Sequence, residues 1–339
     1  MNVLLTGATG FAGTSIAREL VEQGHNLYVI ARDEKKFRAN VGDSCADRVN
    51  ILTGDLLAAD RGNLVKQLEN LPGGLDVVVQ TVGGGPLTSN QAFAPGIFDL
   101  NCKTTSNLVE ILESSHKLQS LRLFVYFSSL AAMGLPKSTG DRVQYNETVV
   151  CNPVLPYERA KFEAETYLQG LAGKHGFKTV VLRYPQIYGG PGDAFMQMVG
   201  MIQSGRFPVV RGKIGSLPLV HLRDVVGSTS AVIQNVDQIP SNFEVYIVAE
   251  GSYTYSQLVE MVRSKYGRGG MLSVPYFVTY LGTAALERAF ALMGKPEPLN
   301  RRRLVSLTKD RVVDCSKFIN TFQFKFSENV RTYLASQPA

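Results

Sequence analysis

Three groups of residues could do chemistry as a unit. Tyr157 and Lys161 stand four apart in Tyr157-Glu158-Arg159-Ala160-Lys161, so on a helix they put a phenol and an ammonium one turn apart on the same face. A tyrosine of ordinary pKa, about 10, exchanges protons slowly near neutrality unless a nearby cation favours its phenolate. With that help it serves as general acid or base for an oxygen that becomes an alcohol or a carbonyl. The second group, Ser128-Ser129, closes the apolar run Leu123-Phe124-Val125-Tyr126-Phe127. One of its hydroxyls can hydrogen-bond the reacting oxygen from the end of a strand. The third is Thr6-Gly7-Ala8-Thr9-Gly10-Phe11-Ala12-Gly13, between the apolar run Asn2-Val3-Leu4-Leu5 and a stretch of helical periodicity over 14–21.

That setting makes the glycines a strand-to-helix turn. Gly7 suits a tight turn, Gly10 lets backbone approach a pyrophosphate, and Gly13 lets helix and strand touch, while the helix N-terminus offers free N–H groups to an anion. The spacing is GxxGxxG, a departure from the GxGxxG fingerprint. A plain glycine-rich loop would explain the first string alone, and a surface helix pair the second. In this order, with the serines between them, they point to nicotinamide chemistry. After the second expected strand comes Arg32-Asp33, with Lys35 and Lys36 following. An arginine there accommodates the extra phosphate of NADP, whereas an acid bonds the ribose of NAD. NADP is the expected cofactor, with NAD the alternative should Asp33 turn toward the ribose.

The elements that must position these groups alternate. Strands are expected at 26–31, 49–53, 75–81, 122–127 and 179–183, and helices at 63–70, 104–115 and 157–172. Such alternation, with apolar β-branched strands, implies an α/β fold with a doubly wound parallel sheet of the Rossmann kind. Residues 1–183 form the dinucleotide-binding domain, with 214–236 returning to it. Residues 184–339 make mainly a smaller substrate lobe, with helices at 195–203 and 256–266 and an isolated extended piece at 243–249. Gly189-Gly190-Pro191-Gly192 breaks the chain between them, and Gly83-Gly84-Gly85-Pro86 follows a strand end where a cofactor would pass. The stretch 274–293, apolar except for Glu287 and Arg288, suits a covering helix or one lying on a membrane surface.

The chain has 339 residues and a formal net charge of +6, with basic residues scattered except at Arg301-Arg302-Arg303. That triplet reads as a solvated helix face, and nothing resembles the basic stripe with stacking aromatics that a nucleic-acid partner requires. Cys45, Cys102, Cys151 and Cys315 include no CxxC pair, and His25, His116, His175 and His221 are dispersed, so reduced thiols and no metal site are expected. The first strand starts at Asn2, which leaves no room for a signal peptide, and no uncharged stretch is long enough to span a bilayer. The cytoplasm is the expected location.

The chain resembles the extended short-chain dehydrogenase/reductase family over nearly its whole length. The matching pieces are the glycine string 6–13, Gly54-Asp55-Leu56, Asn101 in Asp99-Leu100-Asn101-Cys102-Lys103, Phe127-Ser128-Ser129-Leu130-Ala131-Ala132-Met133-Gly134, Tyr157 to Lys161, Leu182-Arg183-Tyr184-Pro185-Gln186-Ile187-Tyr188-Gly189, and Val220-His221-Leu222-Arg223-Asp224-Val225. The resemblance implies that Ser129 rather than Ser128 orients the substrate oxygen, that Lys161 also holds the nicotinamide ribose, and that Asn101 supports the lysine. It implies a cofactor bed of Gly7, Thr9, Gly10, Phe11, Ala12, Gly13, Arg32, Thr81, Val82 and Gly83, with Asp55 and Leu56 beside the adenine and Pro185, Gln186 and Ile187 along the nicotinamide. Where the family often has a His-Leu-Ala-Ala-like string, this chain has Gln80-Thr81-Val82-Gly83. Gln186 and Leu217-Pro218-Leu219 also stand where sugar-nucleotide relatives commonly place an asparagine and an arginine. The resemblance therefore implies hydride exchange with the carbonyl or secondary alcohol of a small, fairly apolar substrate. A nucleotide-sugar epimerase or dehydratase with tightly held NAD, and a non-catalytic NADP-binding subunit or sensor, are the alternatives. Pairing of two chains as a homodimer is left open.

Overall fold

The computed structural model describes residues 1–84, 96–137, 140–190, 192–293 and 301–338. Gly85, Pro86 and Pro191 of the two glycine-rich breaks lie outside them. The first half alternates β1 (Asn2–Thr6), α1 (Phe11–Glu22), β2 (Asn26–Ala31), α2 (Glu34–Val41), α3 (Asp43–Ala46), β3 (Val49–Thr53), α4 (Gly62–Glu69), β4 (Val77–Gln80), α5 (Thr104–Ser114), β5 (Leu123–Ser129), β6 (Arg142–Tyr145), α6 (Pro156–Gln169) and β7 (Lys178–Tyr184). Then come β8 (Gln186–Tyr188), α7 (Ala194–Gln203), β9 (Phe207–Val210), β10 (Ser216–His221), α8 (Leu222–Gln234), β11 (Phe243–Ile247), β12 (Gly251–Thr254), α9 (Tyr255–Tyr266), β13 (Met271–Val274), α10 (Tyr276–Leu292), α11 (Arg301–Leu307), β14 (Asp310–Val313), α12 (Ser316–Phe322) and α13 (Val330–Ser336).

Seven strands make one parallel sheet in the order β11-β7-β5-β4-β1-β2-β3. Successive residues of a strand face opposite sides, and both sides are buried here. Val3, Leu5, Val77, Val79 and Val125 belong to one core with α1, α8 and α12, while Leu4, Val78, Phe124 and Tyr126 belong to another with α4, α5 and α6. That two-sided burial is why the strands read as unbroken apolar runs. The order reverses between β1 and β4, and a ligand of such a sheet sits beyond the strands' carboxyl ends at that reversal.

A smaller lobe holds the three-stranded sheet β12-β10-β8 and the pair β13-β9. Its core joins Phe195, Val199 and Ile202 of α7 to Leu258 and Val262 of α9 and to Val330 and Leu334 of α13.

The structure departs from the sequence expectations in three places. The extended piece 243–249 is not part of the smaller lobe: β11 is an edge strand of the main sheet, Phe243 to Ile247 pairing in parallel with Thr179 to Arg183 of β7. Its Tyr246 ring packs on Phe318 and Phe322 of α12, so the last third of the chain completes the first domain's core. The fourth strand is shorter than 75–81, and the helix carrying Tyr157 starts at Pro156 and stops at Gln169, before Gly170. The arginine triplet is not a solvated face. Only Arg301 is exposed, bonded to Glu287, while Arg302 and Arg303 are half-buried because α11 lies against the 152–158 region, where Arg302 Nη2 donates to Asn152 O at 2.9 Å.

Candidate active site

Gly7 leaves β1 with φ +74°, a conformation that favours glycine. Its carbonyl accepts Gly10 N at 2.9 Å, and a Cβ on Gly7 would lie 2.6 Å from Thr81 Oγ1. A Cβ on Gly13 would collide with Gly7 O, so the turn and the first turn of α1 touch only because both residues are glycine. Thr14 Oγ1 donates to Ala8 O and Gly10 O, and Asn40 Nδ2 donates to Thr9 O, each at 3.0 Å. Gly10 is the N-cap of α1 and has no side chain to bond the orphan N–H groups of Phe11, Ala12 and Gly13. These donors face beyond the carboxyl ends of β1 and β4. The residues present fit the pyrophosphate of a dinucleotide there.

The adenosine end of a dinucleotide on this turn would lie where β2 and β3 stop. Arg32 is exposed and 3.8 Å from Asp55. Asp33 caps α2, its Oδ1 accepting Lys36 N at 3.0 Å. Leu56 is buried, its carbonyl held by Asn107 Nδ2 at 2.7 Å.

Residues 81–84 run from the glycine turn to Asn101 and Lys161. Thr81 Oγ1 donates to Thr6 O at 2.7 Å, beside Gly7. Two residues on, a Cβ at Gly83 would lie 2.7 Å from Asn101 Oδ1 and 2.8 Å from Lys161 Nζ. Val82 packs against the core shared by α4, α5 and α6. Asn101 is fully buried in a π-helical turn over Asp99–Lys103. Its side chain grips Gly84 N and O at 3.2 and 3.1 Å and Ile97 O at 2.8 Å. It thus shapes the backbone beside the lysine and makes no direct bond to it.

Tyr157 and Lys161 share the buried face of α6. The Tyr157 phenol lies beside the Ser129 side chain, which accepts Ala131 N at 3.1 Å. Burial pushes the phenol's pKa up, and the neighbouring Ser129 hydroxyl opposes it. The downward pull expected of Lys161 is not the governing effect, because Lys161 Nζ is turned to Phe127 O at 2.8 Å, above the Tyr126 ring at 4.9 Å. Burial brings the Lys161 pKa down to about 8, with Glu165 opposing. Pro185, Gln186 and Ile187 follow β7 half-buried, and Gln186 and Ile187 pair with Leu219 and Val220.

Ser128 has a different part. Its hydroxyl donates to Glu165 at 2.5 Å, and Glu165 is gripped by Arg183 Nε and Nη2 at 3.0 and 2.6 Å. This buried triad ties β5, α6 and β7 together directly under Ser129, Tyr157 and Lys161. Sequence reasoning passed over Glu165, yet its signal is visible: it stands four residues after Lys161 and eight after Tyr157, on the same helix face. Arg183, in a strand buried on both sides, carries the complementary sign.

Taken together, Ser129, Tyr157 and Lys161 gather where β5 ends and α6 passes, and residues 81–84 join them to the glycine turn after β1, beside the crevice that a doubly wound sheet leaves beyond the carboxyl ends of its strands. Among the described residues no group of three or more His, Cys, Asp or Glu could hold a metal, and no helix is long and apolar enough to cross a membrane.

A family model described as NAD dependent epimerase/dehydratase family matches residues 3–249. The chain is 24% identical over 283 residues to a bifunctional dihydroflavonol 4-reductase/flavanone 4-reductase of Malus domestica, covering 78% of this chain and 76% of the relative. It is 21% identical over 257 residues to a decarboxylating sterol-4-alpha-carboxylate 3-dehydrogenase of Dictyostelium discoideum, covering 74% and 71%. In fold it is similar to a UDP-glucuronic acid 4-epimerase of Bacillus cereus solved with UDP-glucuronic acid and NAD. That match has a TM-score of 0.70 and 18% identity and covers 98% of this chain and 96% of the other.

Proposed function

This chain belongs to the NAD dependent epimerase/dehydratase family, and from that premise we propose that it is an NADP-dependent reductase or dehydrogenase of the extended short-chain type, acting on a ketone or secondary alcohol of a small, fairly apolar molecule. The observation that carries the reading is the buried Tyr157 phenol beside Ser129, on the same helix face as Lys161, whose ammonium Gly83 of the 81–84 segment approaches closely.

Bound in that crevice, the nicotinamide would supply or accept the hydride, which is the redox half of the chemistry. The chain's own residues do the rest. Ser129 Oγ orients and polarises the substrate oxygen, and Tyr157 gives that oxygen its proton in reduction or takes it in oxidation. Lys161 is the nearby cation that favours phenolate once a proton has left. The buried triad of Ser128, Glu165 and Arg183 keeps the strand end and the helix in register. Replacing Tyr157 by Phe should lower turnover by about two to four orders of magnitude while leaving dinucleotide affinity unchanged. Full turnover in that variant would refute the assignment.

The preference for NADP rests on Arg32 with Lys35 and Lys36 at the end of β2, and on Asp33 being engaged as a helix cap. NADPH should bind more tightly than NADH, and Arg32→Gln should narrow the gap. Tighter binding of NADH by the unaltered protein would overturn it. The apolar substrate is supported by Leu219, which is buried in the smaller lobe's core, in the segment where a sugar-nucleotide enzyme would present a cation. Release of NAD on denaturing the purified protein, with interconversion of sugar nucleotides, would replace this reading by the epimerase one.

A further inference from the structure

Among the described residues, exposed apolar side chains cluster on α10 and β13, far along the chain from Tyr157 and Lys161. α10 turns only a narrow side inward, around buried Thr283. Its outer side shows Phe277 and Leu281 at 66% and 63% exposure, with Val278, Leu286 and Leu292 also open to solvent. β13, which runs into α10 through Pro275, adds exposed Met271 and Leu272. Exposed apolar side chains gathered on one helix and the strand that leads into it mark a contact site.

Its rim is basic. Arg206 and Arg211 flank β9 at either end, Arg268 precedes β13, and Arg288 projects from α10. All four are exposed and, among the described residues, none has an acidic partner within ion-pair distance. The segments 205–211 and 267–275 contain no carboxylate, and the one on α10, Glu287, is held by Arg301 at 2.8 Å.

We propose that this face docks on an anionic lipid bilayer, with α10 lying in the headgroup plane and the four arginines meeting lipid phosphates. Apolar side chains with a basic surround are what an interfacial helix needs. Among the described residues no helix is long and apolar enough to cross a membrane, and α10 carries Glu287 and Arg288, so it lies on the surface and does not span. A second copy of the chain fits poorly, because a two-fold contact would set this cationic rim against itself.

The test is cosedimentation of the full chain with vesicles of phosphatidylcholine alone and of phosphatidylcholine mixed with phosphatidylglycerol. The protein should sediment with the anionic vesicles, less so as salt rises, and little with the neutral ones. Phe277→Ser combined with Leu281→Ser should weaken that partitioning by about tenfold or more. Arg206→Gln, Arg211→Gln and Arg268→Gln together should remove the preference for anionic lipid, with thermal melting and NADPH affinity unchanged in both variants. Absence of binding to anionic vesicles, equal binding by the variants, or a dimer that Phe277→Ser and Leu281→Ser dissolve would overturn the proposal.

Discussion

Replacing Lys161 by Met tests the electrostatic character of the crevice through folding rather than turnover. The Lys161 ammonium is buried and its pKa falls to about 8, whereas in the unfolded chain it returns to about 10.4. A lysine with a depressed folded pKa holds its proton more weakly when folded, so the charged form costs stability. That cost is fully present below pH 8 and disappears as pH rises through the unfolded value. Each pKa unit is worth about 1.4 kcal/mol, so the two-unit-plus shift amounts to about 3 kcal/mol at neutral pH and about 1 kcal/mol near pH 9.5. Lys161→Met removes the titration while its loss of the bond to Phe127 O is the same at every pH. The unaltered protein should therefore gain about 2 kcal/mol relative to the variant between pH 7 and pH 9.5. Urea unfolding of both proteins at the two pH values measures that double difference, in which every other titrating group cancels. A difference that does not change with pH would mean that the ammonium is not desolvated, and the burial argument for this wall of the crevice would fail.

Gly83→Ala should fold but turn over about tenfold or more slowly, because the new methyl meets Asn101 Oδ1 and Lys161 Nζ below 3 Å; steady-state kinetics with an NADPH affinity measurement would check it. Arg183→Met strands the Glu165 carboxylate in the core, and urea titration should find a loss of about 3 to 5 kcal/mol, larger than that of Glu165→Leu with Arg183→Met together. Glu250 accepts bonds from Tyr188 and Tyr253 and from Val330 N of α13, and burial lifts its pKa to about 7. Its protonated form is favoured on folding, so melting temperature should rise as pH is lowered from 8 toward 5. Glu250→Gln should flatten that rise, and an unchanged pH dependence in the variant would refute the assignment.

The parts of this protein that were legible in its sequence are those governed by short-range rules. The strand at 26–31 was readable because burial on both faces leaves an apolar run between polar breaks. The turn at Gly7 was readable because a left-handed φ and a backbone contact without room for a Cβ demand glycine. The common face of Tyr157 and Lys161 follows from helical spacing alone. Other features depend on which distant segments meet, and only the tertiary structure decided them. Phe243 to Ile247 became the edge of the main sheet because β7 left an unpaired edge and α12 brought Phe318 and Phe322 to cover Tyr246. Asp33 became the cap of α2, and Arg302 and Arg303 were drawn inward by α11 lying against 152–158. The same holds for the pairing of Glu165 with Arg183: helical spacing puts Glu165 on the face of Tyr157 and Lys161, but two such charges are tolerable in the core only as partners, and that Arg183 of β7 meets Glu165 there is decided by how α6 packs on the sheet.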